Sequence, residues 1–390
     1  VAGSIAAYKI ANLASMLVKQ RATVHVIMTR NACNFITPTT FETLTGNKCL
    51  IDTFDRNFEF QVEHVSLAQK ADLFLIAPAT ANMIGKLAHG ICDDMLTTTV
   101  FATKAPKLVS PAMNTNMWEN PILQDNLATL KHYGYDIISP ASGRLACGAV
   151  GSGKMPSEEV LMSHILLHVG KEKDLQGKHI LVTAGPTQEA IDPVRYITNH
   201  SSGKMGYALA KMAVMRGASV TLVSGPVNIE PFIGIDVVNV KSAADMAEAV
   251  AARSEESDIV VMCSAVADYT PTHYSAQKVK KSDGELSIPL ARTTDILHTL
   301  GMKKKEGQML VGFSMETENL IENSRKKLSK KNADIICANT IADGGATGFA
   351  VDTNQVTLIT ETEVITLPLC TKEVTADLIL SHIVELQKEK

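Results

Sequence analysis

Between Gly177 and Gly225 the sequence GKHILVTAGPTQEAIDPVRYITNHSSGKMGYALAKMAVMRGASVTLVSG sets out an apolar run, a long polar loop, a helical spacing and a second apolar run. Ile180 to Thr183 is too short for a helix and is followed by Gly185-Pro186, so it predicts a buried strand. Ala208, Leu209, Met212, Ala213 and Met215 recur at helical spacing, Gly217 supplies a C-cap, and Ser219 to Val223 predicts the next strand. Strand, glycine-rich loop, helix and strand in that order open a doubly wound nucleotide-binding sheet. The loop carries Thr183, Thr187, Arg195, Asn199, Ser201, Ser202 and Lys204 ahead of a helix start, where unpaired N–H groups and the dipole favour an anion. A phosphate site is expected there; the plainer reading is an Asn/Ser helix cap on a sheet that binds nothing.

The same unit stands at the head of the chain. Gly3-Ser4 leads into Ile5, Ala6, Ile10, Leu13, Ala14, Leu17 and Val18, a helical pattern, and Thr23 to Met28 reads as a strand. A first strand is expected ahead of Val1. The amides of Gly3 and Ser4, with the Ser4 hydroxyl, suit a single phosphate, but the spaced glycines of the dinucleotide fingerprint are missing, so a mononucleotide such as FMN fits better than NAD. At 390 residues the chain exceeds what one core usually fills, which predicts two domains of roughly 150 to 200 residues. The polar KEKDLQGK at 171–178 reads as a linker between residues 1–170 and 179–390. The fold class expected is α/β, two tandem doubly wound, Rossmann-like domains. A net charge of −4 argues against nucleic acid as a partner. The seven cysteines (Cys33, Cys49, Cys92, Cys147, Cys263, Cys337, Cys370) are scattered without a C-x-x-C pair, which predicts reduced thiols in a cytosolic setting and no zinc site. No apolar run approaches the ~20 residues of a membrane span, and no signal peptide is visible.

In the first half, Ala71 to Ala77 predicts a strand ending in Pro78-Ala79-Thr80-Ala81-Asn82, a small-residue loop where ligands of such sheets sit. His64, in Glu63-His64-Val65-Ser66-Leu67, is a candidate acid or base, although a lone His is more often a satisfied structural residue. The strand Leu108 to Ser110 is followed by Pro111-Ala112-Met113-Asn114-Thr115-Asn116-Met117-Trp118, which by itself is equally a Met-rich core turn. The run from Ser142 to Met155, SGRLACGAVGSGKM, is a glycine loop centred on Cys147 beside Arg144, an exposed setting for a reactive thiol.

In the second half, Asp258 to Ser264 predicts a strand whose end carries Asp268, placed to hold Mg2+ or a nucleotide or simply to be a solvated acid. Gln277-Lys278-Val279-Lys280-Lys281-Ser282-Asp283-Gly284 is a basic run that reads equally as a solvated face. Met309 to Phe313 predicts a strand, and from Glu316 onward a polar helix sets Lys327 and Lys331 four apart on one face. A glycine loop at Gly344–Phe349, a hairpin of Asn354–Ile359 with Val364–Leu367, and a closing helix complete the chain.

Five segments, Gly-Ser-Ile-Ala-Ala-Tyr-Lys, His64 in His-Val-Ser-Leu, the Ala-Pro-Ala-Thr-Ala-Asn loop, Pro-Ala-Met-Asn-Thr-Asn-Met-Trp and Arg-Leu-Ala-Cys-Gly, together resemble the FMN-dependent cysteine decarboxylases. The whole chain resembles the bacterial fusion of phosphopantothenoylcysteine decarboxylase to phosphopantothenate-cysteine ligase. The resemblance implies a flavodoxin-like first domain with FMN near Gly3, Ser4, Thr29, Thr80, Asn82 and Met117. Cys147 would then be the proton donor, with His64 near the reacting centre and Asn114 on the substrate carboxylate. Within the second domain it implies Asn199 on an acyl-cytidylate, Lys278 of a KxKK motif on the triphosphate, and Phe313, Lys327 and Lys331 on CTP. Asp268 would serve CTP and Mg2+. The substrates implied are 4'-phosphopantothenate, cysteine and CTP, and the assembly a homo-oligomer of decarboxylase trimers and ligase dimers, a dodecamer. Two departures from the family's pattern are Ser314-Met315 in place of Ala-Ala and Thr294 in place of Pro.

Two other readings compete. A nicotinamide oxidoreductase needs G-x-G-x-x-G with an acid about 20 residues later, a combination found in neither half. A non-catalytic flavoprotein subunit is opposed by the intact Cys147 and by the attached second half.

Overall fold

Residues 1–390 are described by a computed structural model, apart from 55–61, 147, 281–286, 317, 341–350 and 390. The chain divides into two units, Val1–Lys171 and Glu172–Lys390. In the first unit three apolar runs become the parallel strands Phe74–Ala79, Lys107–Pro111 and Tyr135–Ile137. Parallel strands need both faces covered. One face takes the helix Ala7–Lys19 through Ile10, Leu13 and Ala14, together with Leu161, Met162 and Ile165 of the helix Glu158–Val169. The other takes Met83, Ile84 and Leu87 of the helix Ala81–Ala88, with Leu123, Leu127 and Leu130 of the helix Pro121–His132. Each such side chain contributes roughly 1.5–3 kcal/mol by leaving water.

The strand expected at Thr23–Met28 is reduced to one isolated parallel bridge, Ile27 to Leu50. Its ladder is short on both sides. Met28 N–H donates to Leu50 O and Leu50 N–H to Val26 O, while on the other side Val1 pairs with it, through Ile27 O and Thr29 N–H. Ala2 N–H in turn donates to Pro78 O, so the segments at Leu50, Ile27 and Val1–Ala2 continue the three-stranded sheet outward.

The second unit is built on an eight-stranded sheet. Across it run Ile235–Asn239, Ser219–Ser224, His179–Ala184, Ile259–Met262, Met309–Glu316 and Ile335–Thr340, all parallel, then the antiparallel Val356–Ile359 and Val364–Thr366. The strand Met309–Glu316 runs on past Phe313, and the polar helix begins only at Leu320, ending at Lys331. Leu181, Val223, Val260 and Leu310 turn to a core that includes Met246, Val250 and Ile296. On the opposite face lies the helix Lys204–Met215, buried along most of its length because the closing helix Lys372–Glu389 covers it. The glycine loop expected at 344–349 lies outside the described residues.

The segment 171–178 is not a free spacer. Leu175 is buried, and Arg216 reaches it from the end of the helix Lys204–Met215: its Nε donates to Asp174 Oδ1 at 2.8 Å and its Nη1 to Asp377 O and Ser381 Oγ, both at 3.0 Å. Polar composition concealed this, because the residues that tie the segment down are themselves charged.

Candidate functional sites

In the first unit the expected ligand residues follow the carboxyl ends of neighbouring strands. Ala112 N–H donates to Ala79 O, which sets the turns after Ala79 and Pro111 side by side. Thr80 caps the helix Ala81–Ala88 by accepting from Met83 N–H at 3.3 Å, and Asn114 caps the short helix Thr115–Trp118 by accepting from Met117 N–H at 2.9 Å. Ser4 Oγ accepts from Ala6 N–H at 3.3 Å, and Thr29 Oγ1 accepts from Ala32 N–H at 3.2 Å. Each hydroxyl used in this way keeps its own proton to give to a ligand. The Asn114 amide is oriented by its cap, and among the described residues its Nδ2 makes no hydrogen bond. Gly3 lies against Asn31, where a Cβ would meet Asn31 Cβ at 2.7 Å, so no larger residue fits the approach. Asn82 is exposed and Met117 is 43% exposed. His64 is half-buried in the first turn of the helix Glu63–Lys70, and among the described residues no hydrogen bond joins it to Asn114 or Thr80.

Cys147 lies outside the described residues, but the hairpin that carries it does not. Strands Ala141–Arg144 and Val150–Lys154 pair antiparallel, and Leu145 N–H donates to Ala149 O at 2.8 Å just below the tip. The hairpin is seated on the Asn114 turn by main chain: Met113 N–H donates to Gly153 O and Thr115 Oγ1 to Ser152 O, each at 3.0 Å. A Cβ at Gly153 would stand 2.4 Å from Met113 O, and one at Gly151 2.4 Å from Thr115 Oγ1. Gly153 also has φ +117, a conformation side chains resist. The glycines that looked like loop filler are thus the contact surface. These donors, small residues and glycine seats suit a flavin mononucleotide.

In the second unit the loop after Ala184 is put to other uses than a display of donors. Thr183 and Thr187 are fully buried: Thr183 Oγ1 donates to Ser264 Oγ at 2.8 Å, and Thr187 Oγ1 accepts from Ala267 N–H at 3.0 Å. They fasten the strand-end loop that carries Asp268, which corrects the expectation of phosphate donors at both positions. Arg195 Nε donates to Asp192 Oδ2 at 3.0 Å, and Lys204 Nζ to Asp352 Oδ1 at 2.6 Å. The helix start itself is open: its N-cap is Gly203 at φ +80, with no side-chain cap. Gly206 lets the helix close on the strand, since a Cβ there would lie 2.6 Å from Ala184 Cβ. Asn199 is exposed, and its Nδ2 donates to Ala265 O at 3.0 Å and Val266 O at 3.3 Å.

Of the charged residues expected around CTP, two lysines are met by carboxylates. Lys327 pairs with Glu316 at 2.7 Å, and Lys331 pairs with Asp295, which also caps the helix Ile296–Lys303 through His298 N–H. Burial lowers the Lys331 pKa against the opposing pull of Asp268. Phe313 is half-buried on the same strand as Glu316, and Asp268 and Lys278 are exposed. Among the described residues no three metal-ligating side chains gather. Glu316 and Asp295 were not singled out from the sequence; a carboxylate at a strand end facing a helix with two lysines four apart was the available signal. The Ser314 departure turns inward, where its hydroxyl meets Ser324 Oγ at 3.1 Å.

Comparison with known proteins finds two family models end to end: Flavoprotein over residues 1–170, and DNA/pantothenate metabolism flavoprotein C-terminal domain over residues 175–386. The chain is 49% identical over 361 residues to the coenzyme A biosynthesis bifunctional protein CoaBC of Bacillus subtilis (strain 168), covering 92% of this chain and 88% of that one. It is 44% identical to the protein of the same name from Vibrio vulnificus (strain CMCP6), over 98% of this chain and 96% of the relative. A cysteine/cysteine sulfinic acid decarboxylase from an unknown prokaryotic organism is 45% identical over 88% of this chain and 98% of its own length. The solved C-terminal domain of a coenzyme A biosynthesis bifunctional protein CoaBC is 46% identical, covering 56% of this chain and all of its own, with a TM-score of 0.48. With two family models spanning both units and such identity over nearly its whole length, the chain belongs to the family of coenzyme A biosynthesis bifunctional proteins, CoaBC.

Proposed function

We propose that the second unit joins cysteine to 4'-phosphopantothenate with CTP, and that the first decarboxylates the resulting phosphopantothenoylcysteine to 4'-phosphopantetheine. What carries the decarboxylase assignment is the glycine seat, which holds the hairpin bearing Cys147 on the turn bearing Asn114. A carbanion left by loss of CO2 beside an ordinary thiol has no electron sink; bound FMN supplies one by accepting and returning two electrons. Gly3, Ser4, Thr29, Thr80, Asn82 and Met117 would hold it. Asn114 Nδ2 donates to the substrate carboxylate and, being an amide, does so at any pH. Cys147 delivers the proton that completes the product, with His64 beside the reacting centre.

In the ligase half the phosphopantothenate carboxylate attacks the α-phosphorus of CTP, releasing pyrophosphate, and the cysteine amine then displaces CMP from the acyl-cytidylate. Lys278, Lys327 and Lys331 offset the triphosphate charge, Asp268 would hold Mg2+, which would supply further positive charge, and Phe313 packs on the nucleotide. Asn199 bonds the acyl-cytidylate. The protein works in the cytoplasm as a homo-oligomer of decarboxylase trimers and ligase dimers, a dodecamer, and a monomeric mass for flavin-loaded protein would refute that assembly. Among the described residues no helix is long and apolar enough to cross a membrane.

One assay tests the reading. Supplied with 4'-phosphopantothenate, cysteine, CTP and Mg2+, the protein should release CO2 and form 4'-phosphopantetheine. CO2 from free cysteine without CTP would instead align it with the cysteine decarboxylase relative.

A further inference from the structure

The hairpin formed by Gln188–Ala190 and Tyr196–Thr198 has a tip whose groups are all spent on one task. Asp192 is 2% exposed. Its Oδ1 accepts from Val194 N–H and Arg195 N–H, both at 2.9 Å, an Asx turn made rigid by the intervening Pro193. Its Oδ2 accepts from Arg195 Nε at 3.0 Å, from Arg195 Nη2 at 2.5 Å, and from Val279 N–H at 3.2 Å. Arg195 Nη2 also donates to Val279 O at 2.9 Å. The ion pair therefore grips both polar groups of one peptide residue, the neighbour of Lys278. Four residues earlier, Ser275 N–H donates to Ile191 O at 3.0 Å, so the run 275–279 is fixed at two points to the hairpin tip. At the hairpin's base, Thr198 Oγ1 donates to Thr187 O at 2.7 Å and Asn199 Nδ2 reaches the loop before Asp268. One rigid piece thus links three residues of the proposed ligase site.

We propose that Asp192 is a positioning residue of the ligase: by holding Val279 through its own carboxylate and through Arg195, it fixes where Lys278 stands relative to Asn199 and Asp268. This rests on the role given to Lys278 above. A carboxylate is required rather than any acceptor, because five N–H groups converge on its two oxygens and an amide would present two donors to them. These bonds also hold the Asp192 carboxyl well below the usual carboxylate range, so its charge persists at any working pH.

The test uses the full chain and a double-mutant cycle. Asp192→Asn should slow CTP-dependent pyrophosphate release by about tenfold or more, the scale of losing a hydrogen bond to a charged group, while CO2 release from supplied phosphopantothenoylcysteine is unchanged. Added to Lys278→Gln, it should cost almost nothing further, since both act through the same lysine. Full additivity in the cycle would overturn the proposal, because it would mean that Asp192 matters only for stability or elsewhere. Val279→Pro removes the N–H that Asp192 accepts and leaves the carboxylate alone; it should reproduce the ligase loss, and an unaffected rate would also overturn the proposal. Should Lys278→Gln alone leave ligation intact, the reading of Lys278 fails, and amide exchange decides the rest. Faster exchange at 275–279 in Asp192→Asn supports the clamp, and unchanged exchange refutes it.

Discussion

The two sites use their polar side chains in opposite ways. In the first unit Ser4, Thr29, Thr80 and Asn114 each cap the turn that follows, so the site is organised by hydrogen bonds to its own main chain and carries few charges. In the second, Lys327 and Lys331 are already countered by Glu316 and Asp295. A ligand with a ring and a single phosphate enters the first without rearranging ion pairs. On the proposed reading, a triphosphate entering the second competes with Glu316 and Asp295 for Lys327 and Lys331 or shares these carboxylates through a divalent cation. The difference teaches that a nucleotide-binding sheet does not fix the charge of its ligand; the turns after its strands do.

The contrast can be broken most sharply at Cys147. Cys147→Ser keeps the size and removes the acid, so 4'-phosphopantetheine formation should fall by on the order of a hundredfold or more, with CTP-dependent ligation untouched. Product analysis should show a decarboxylated species two hydrogens short; normal product at the normal rate would make Cys147 an ordinary loop residue. In the charged site, Asn199→Asp turns donors facing Ala265 O and Val266 O into acceptors and adds a charge where the phosphates are proposed to lie. Ligation should fall by about ten- to a hundredfold, measured as CMP release, with decarboxylation unchanged.

A smaller effect separates the frames from the chemistry. Gly153→Ala would press a methyl on Met113 O at an unfavourable φ and should destabilise the first unit by about 2 kcal/mol while unseating the Cys147 hairpin. Decarboxylation should drop and ligation persist. Gly206→Ala, against Ala184 and Thr183 O, should show the reverse. Smallest of all, Ser314→Ala restores the family's usual residue and leaves the Ser324 hydroxyl without its partner, a loss of about 1 kcal/mol in thermal unfolding with no change in ligase rate.

The doubly wound order was readable because apolar runs such as Ile180–Thr183 and Leu108–Ser110 stand between turn residues and helical spacings, a local pattern that the sheet obeys. Thr23–Met28 was legible as an extended segment of the sheet but not in its extent: its residues favour a strand, while the bridge formed is Ile27 to Leu50. At 171–178 the packing was not legible, since Asp174 reads as solvated until Arg216 is seen 42 residues later in the chain, reaching back to it. Within the candidate sites, the turn at Asn114 and the placing of Lys327 and Lys331 on one helix were legible from motif and spacing. Glu316, Asp295 and Asp192 were not, because a carboxylate's partner lies across the fold and no spacing encodes it. Thr183 and Thr187 resembled ligand donors only because a hydroxyl looks the same in sequence whether it faces a phosphate or a buried main-chain N–H.

The Arg216 contacts bear on how the ligase half can be isolated. The same guanidinium, 5% exposed along its side chain, holds Asp174 near the beginning of the second unit and Asp377 and Ser381 in its final helix. A recombinant fragment cut at residue 175, where the family model begins, loses one of these partners, and one ending before 377 loses two. Either would leave Arg216 short of a carboxylate partner and should express poorly, whereas a fragment opening at Glu172 and retaining Ser381 keeps the clasp whole.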